Sequence, residues 1–379
     1  MSEIVLNDNQ SDKFDALPLL EEAFQLFEKC LDVQQGQLTL QNETVTAVFN
    51  IPETSPLPMD PKPGDGLVGG RAAEDEQWAS IVEPLTSNVL VDTIIAEIQC
   101  LISMLSIPYI PDASFVMKID SLARLVLRRA DSIIQQIQTE STLVIDPVTV
   151  PLARGNYKAA FADASFRAGQ LSMYDYFTTI TTAYDFSVES SPQVLCDLAE
   201  AYLNFATTIS AALEGFLPQS QRPEPDFPLA STRWKSISGA LDALTKASKF
   251  PSTDTNELTL SLSAIHARRA DCELLRARLA EPSNGSHGPA AKSLLVLRKN
   301  AETYYRGAAK MAITETGHEN VDLNVREAVC AALNGNTQVW KDLYVRSANV
   351  VQKVVVEMRE EFLIDEDIQH SLERVLSES

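Results

Sequence analysis

Glycine supplies only 14 of the 379 residues, too few for the tight turns of an all-β fold. Histidine is rarer still: His266, His287, His318 and His370 are the four present. None has a second histidine at ligand spacing and no H-E-x-x-H occurs, so no zinc-hydrolase site is expected. The five cysteines, Cys30, Cys100, Cys196, Cys272 and Cys330, are widely separated and form no C-x-x-C. An odd, dispersed set argues against a disulfide framework or a structural zinc site. Such cysteines read as small core residues in a reducing compartment. Phosphate-binding glycine loops and the nucleophile elbow are missing as well. The expectation is a non-catalytic protein with no cofactor and no metal.

Long apolar runs are lacking too. No stretch is read as approaching eighteen uncharged apolar residues, so no membrane span is expected. Met1–Val5 has no basic region followed by an apolar one, so no signal peptide is expected. These absences point to the cytoplasm, with the nucleus also open. Positive charge is scarce: 31 Lys and Arg stand against 52 Asp and Glu, a net charge of −21. That excess repels nucleic-acid phosphates and anionic membranes and attracts basic partners. It is uneven, with sixteen acidic against four basic residues in 1–85.

What the chain does have is helical periodicity. Hydrophobic residues make up 45% of it, enough for a substantial core. Leu17, Leu20, Ala23, Phe24, Phe27 and Leu31 open the first helical period. Further helices are expected at 89–105, 113–140, 153–169, 173–187, 191–212, 233–250, 254–279, 290–313, 322–333 and 337–363. Ser191 with Pro192 makes an N-cap and first-turn pair, and Asp254 with Glu257 has capping-box spacing. Proline- and glycine-rich stretches break the pattern at about 50–73, 217–230 and 281–289. The chain divides into a flexible 1–12, one helical domain over 13–363 carrying those three insertions, and an acidic, fraying end at 364–379.

One pattern recurs on four of these helices. Ala23, Phe27, Cys30 and Val33 are matched by Ala123, Leu127, Ala130 and Ile133. Ala240, Leu244, Ala247 and Phe250, then Ala301, Tyr305, Ala308 and Met311, repeat it. Offsets of four, three and three put each set on one helix face. The small residues let a neighbouring helix approach and the large one fills the gap.

Helix pairs carrying this code resemble the tetratricopeptide repeat superfamily. The matches lie in the second helix of a repeat; Leu195, Leu198, Ala199 and Tyr202 match its first-helix signature. The copies start at 23, 123, 240 and 301, far from a regular period of about 34 residues. The proline-rich insertions account for part of that spread. The fold expected is all-α, with antiparallel helix pairs stacked into a right-handed superhelix; the alternative is an irregular helical bundle.

The resemblance implies a concave groove that binds a protein segment. One variant of the family grips chaperone C-terminal carboxylates through Lys and Asn. Cys196 and Glu200 stand at those positions here, so a heat-shock-chaperone carboxylate clamp is not expected. Gln193, Glu200 and Asn204 would line the groove and suit a basic or neutral segment. Tyr174 or Tyr176, if partly exposed, would anchor an interface. Glu74, Asp75 and Glu76 add an acidic patch after the first insertion. Acidic repeat proteins that escort new ribosomal proteins are the family-level example. The chain is therefore expected to be an adaptor or dedicated chaperone for a basic client, the alternative being a scaffold subunit of a larger complex. The arginines at 124, 128, 129, 268, 269, 276 and 278 read as ion pairs along and between helices, the alternative being an anion or phosphopeptide site.

Overall fold

The computed structural model describes residues 16–49, 86–107, 113–139, 148–184, 191–213, 229–250, 260–281 and 289–377. These residues form α1 (Ala16–Phe49), α2 (Ser87–Leu105), α3 (Ala113–Thr139), α4 (Thr149–Arg167), α5 (Met173–Ala183) and α6 (Pro192–Leu213). They continue with α7 (Leu229–Ala247), α8 (Leu262–Ala280), α9 (Pro289–Thr316), α10 (Val321–Leu333), α11 (Gln338–Glu360) and α12 (Glu366–Ser377). Among the described residues there is no strand, and the chain is all-α.

Local chemistry sets several boundaries. Gly169 ends the turn after α4 at φ 72°. Its N–H donates to the Phe166 carbonyl at 2.9 Å, and that of Gln170 to Ser165 at 2.8 Å, a glycine-closed helix end. Ser172 then caps α5, accepting from the Asp175 N–H at 3.1 Å. Pro192 opens α6, as the Ser191-Pro192 pair predicts. Ser261 caps α8, so that helix starts at Leu262 rather than in the 254–257 capping box, which lies outside the described residues.

Packing runs along the chain. Each helix packs on the next, and α4 also packs on α2 and on α6. The core follows this order in overlapping pieces. Phe24, Leu31, Ile94, Ile98, Leu101, Ile119 and Ile133 tie α1 to α4. Phe166, Tyr176, Ile180 and Phe205 tie α4 to α6. Leu195, Leu244, Ile265, Tyr305, Val329, Trp340 and Met358 join α6 to the C-terminal helices.

The small-residue code lies in this core at three of its four copies. Ala123, Ala130 and Ile133 are buried on α3; Ala240, Leu244 and Ala247 on α7; Ala301, Tyr305 and Ala308 on α9. On α1 it fails, because Cys30 and Val33 face solvent while Phe24 and Leu31 take the core positions. Cys30 is thus an exception among the cysteines, the other four being buried.

Two further segments bear on the sequence expectations. The 18 residues Asn88–Leu105 are long and apolar enough to cross a membrane, with mean hydropathy 1.6. Half of that window is buried, packed against α1, α3 and α4, and core packing accounts for its apolarity. The acidic end does not simply fray, since α12 occupies most of it. Leu372 is buried there, and its carbonyl accepts the Trp340 indole N–H at 3.3 Å. The segments 1–12 and 50–73, and most of 217–230 and 281–289, lie outside the described residues, as does Trp78.

Candidate functional site

The even-numbered helices α2, α4, α6 and α8 line two neighbouring cavities, which together make a furrow. Its first part is a cavity of about 600 Å³ between α2, α4, α5 and α6. Its second, about 450 Å³, lies between α6, α8 and the turn after α11. Glu200, Asn204, Thr208 and Ala211, on one face of α6, line both. Four residues at offsets of four, four and three share a helix face, so α6 forms the floor common to the two cavities.

The furrow is rich in carboxylates: Asp163, Asp197, Glu200, Asp271, Glu360 and Glu361, against Arg167 and Arg268. They fall into two sets. Three aspartates are tied up inside. Asp163 accepts from Arg167 Nε, the Tyr176 hydroxyl and the Thr208 hydroxyl, each at 2.7 Å. Arg167 also donates to the Ile107 carbonyl at 2.8 Å and the Leu105 carbonyl at 2.6 Å, capping the end of α2. Asp197 accepts from Asn156 and Gln193, both at 2.6 Å. Burial pushes its carboxyl above the ordinary range, which these hydrogen bonds partly offset. Asp271 accepts a short hydrogen bond from Tyr305 and pairs with Arg268 at 3.4 Å and Arg326 at 3.5 Å. Its carboxyl too is raised by burial, against the pull of the two arginines.

The other set faces solvent. Glu200 is half-exposed and touches Arg268 at 3.5 Å. Glu360 is exposed, and Glu361 is part-exposed and paired with Arg326 at 2.7 Å. Asn204 offers an exposed side-chain amide beside Glu200. The turn bringing Glu360 and Glu361 to the furrow is held by Phe362 at φ 59°, a left-handed conformation in a non-glycine residue. Arg278 donates to its carbonyl at 2.6 Å, tying the turn to α8.

The sequence-derived candidates fall in different places. Glu200 and Asn204 line the furrow. Gln193 is half-buried and serves Asp197. Tyr174 is exposed, whereas Tyr176 is fully buried between Phe166 and Phe205 and cannot be an exposed anchor. Cys196, aligned with a clamp position, is buried, and burial raises its thiol to about 12. Glu74, Asp75 and Glu76 lie outside the described residues. The arginine clusters largely form ion pairs within and between helices: Arg124 to Asp120, Arg268 to Glu200 and Asp271, Arg276 to Glu273 at 3.3 Å. Arg269 stacks on Tyr304 and Arg276 on Trp234, at 4.3 and 4.6 Å from the ring centres. Sequence reading missed Asn156, Asp163 and Asp197, whose roles arise only when separate helices meet. It also missed Glu360 and Glu361.

His266, half-buried beside Arg269, has its imidazole pushed below the ordinary value, first by burial and then by that guanidinium. Among the described residues, no group of three or more His, Cys, Asp or Glu is placed to hold a metal ion. No protein-family model matches this chain, and comparisons with curated proteins and with solved structures return no similar protein.

Proposed function

We propose that the chain is a non-catalytic protein of stacked tetratricopeptide-like helix pairs whose furrow holds a basic protein segment, in the cytoplasm or also the nucleus. One observation carries this reading. The two cavities on α2, α4, α6 and α8 share one face of α6, and their solvent-facing charges are Glu200, Glu360 and Glu361 against Arg268. The packing of each helix on its neighbours, with alternate helices sharing a face, supports the stacked-pair arrangement. Asn204 supplies an amide that can donate to and accept from a peptide backbone, while the carboxylates meet Lys or Arg side chains. An unassembled ribosomal protein is one example of such a client.

The decisive experiment is Glu200→Lys. Reversing that charge should weaken binding of a basic peptide by about tenfold or more, equivalent to about 1.4 kcal/mol, with helicity by circular dichroism unchanged. Wild-type binding should also weaken steeply with added salt, because opposite charges drive the encounter. A client that proves acidic, or binding indifferent to salt, would sink the basic-client reading. A scaffold role in a larger complex draws support from exposed apolar residues away from the furrow, such as Leu295 and Val296 on α9. It requires the chain expressed alone to aggregate or to need a co-expressed partner.

A further inference from the structure

Helix α1 carries two apolar rows, each with a strict spacing of seven. Leu17, Phe24, Leu31 and Leu38 form the first; Phe24 and Leu31 are buried, and Leu17 and Leu38 pack beside them against the α1–α4 core. Leu19, Leu26, Val33 and Leu40 form the second, and they are 65, 57, 59 and 64% exposed. The rows are offset by two residues, about 200° around a helix of 3.6 residues per turn, so they lie on opposite sides. One row is satisfied by α2. The other faces solvent at the end of the helix stack, where terminal helices ordinarily present a polar face.

The outer row has the form of a coiled-coil seam. Ala23, Cys30 and Gln37 fall four residues after Leu19, Leu26 and Val33 and three before the next member of the row. Large residues thus alternate with small or polar ones at heptad spacing over three heptads. Cys30 and Gln37 are exposed, Ala23 is partly buried at the edge of the α1–α4 core, and a Cβ on neighbouring Gly36 would meet nothing within 4 Å. We propose that this row is a dimer interface in which α1 of two copies pairs antiparallel about a two-fold axis.

The second copy is the occupant that the side chains themselves specify. With the chains antiparallel and centred between residues 31 and 32, Ala23 faces Leu40 of the second copy, Leu26 faces Gln37, and Cys30 faces Val33. The two-fold repeats each pair, giving six layers in which a large side chain meets a small or polar one. Such self-complementarity is the mark of an isologous interface. A parallel pairing would instead set large on large, leave gaps at Ala23 and Cys30, and stack Gln37 on itself. Charge agrees with the antiparallel order, which carries Lys29 over the open Gly36 of the second copy toward its Asp32. The layers span about 26 Å at 1.5 Å per residue. With roughly ten residues a side they make up less than a standard interface of about 20–30. The dimer is therefore reversible and concentration-dependent.

Sedimentation of the full chain tests this. Its mass should rise from monomer toward dimer between about 1 and 100 µM, the range of a micromolar association. The double variant Leu26→Glu/Val33→Glu changes only exposed positions, so it should keep its circular-dichroism helicity and stay monomeric throughout. Register is tested separately with Val33→Cys. Mild oxidation, two thiols giving up two electrons and two protons to an added oxidant, should link the new thiol to Cys30 of the second copy. The wild type should not cross-link through Cys30, since residues three positions out of register exceed the roughly 7 Å Cα limit for a disulfide; the other cysteines are buried. A chain monomeric at every concentration, or a dimer that survives the double variant, overturns the proposal. Wild-type cross-linking through Cys30 overturns the antiparallel order.

Discussion

At three points along the chain a buried tyrosine hydroxyl donates to an aspartate on the preceding helix: Tyr157 to Asp120 at 3.0 Å, Tyr176 to Asp163, and Tyr305 to Asp271. Burial, then the neighbouring carboxylate, raises each phenol above its ordinary range, so each stays a donor at neutral pH. Removing the acceptor strands several groups at once. Asp163→Ala leaves Tyr176, Thr208 and Arg167 without their shared partner, at an expected cost of about 3 kcal/mol in urea unfolding. Glu97 behaves differently. It is fully buried on α2 with neither carboxylate oxygen hydrogen-bonded, and the nearest cation, Arg129, is 3.9 Å away. Burial, opposed by Arg129 and reinforced by Glu28 and Asp32 on α1, raises its carboxyl from 4.5 to about 7. Between those values the folded chain binds the extra proton, so stability falls as pH rises through this window. The loss is on the order of 3 kcal/mol, at about 1.4 kcal/mol per pKa unit. Glu97→Gln should therefore gain stability over wild type between pH 5 and pH 8, read by unfolding at both. A difference that does not grow with pH would refute the assignment.

At the scale of elements, close approach depends on a few small residues. A Cβ added at Gly155 on α4 would lie 2.8 Å from the Tyr184 ring and 3.2 Å from the Ala183 carbonyl. Gly155→Ala should displace that ring, break its 2.8 Å hydrogen bond to Asn156, and cost about 1–3 kcal/mol as overpacking, visible as a lower melting temperature. Such contacts explain which elements were legible in the sequence. The code marked core positions on α3, α7 and α9, where alanines lie beneath a crossing helix. It misread α1 because two heptad rows there compete with it, and Cys30 and Val33 belong to the outer one. The acidity of 364–379 predicts a fraying tail where helix α12 forms. Yet Glu366 and Asp367 in its first turn and Arg374 in its last complement the helix dipole, a signal that was present. The furrow was half legible. Glu200 and Asn204 follow from the period of one helix, while Asn156, Asp163 and Asp197 join it through long-range contacts, Asn156 to Asp197 at a separation of 41 residues and Thr208 to Asp163 at 45.

For the whole molecule, net charge and architecture act together. An excess of −21 sets a long-range attraction for basic partners, and the furrow gives part of that charge a shape. Association rates with a basic segment should therefore drop with salt more than dissociation rates rise, as stopped-flow measurements at several ionic strengths would show. The same net charge opposes self-association at a distance, so the proposed dimerisation through α1 should strengthen with salt, the reverse of the proposed binding of a basic segment. The order of packing has a mechanical consequence as well. Because, among the described residues, the extensive contacts join helices one or two apart in the chain, tension applied to the two ends would be borne by one neighbouring contact after another. The molecule would lengthen in steps, like a chain of clasps opening singly, and stay folded beyond the last one opened.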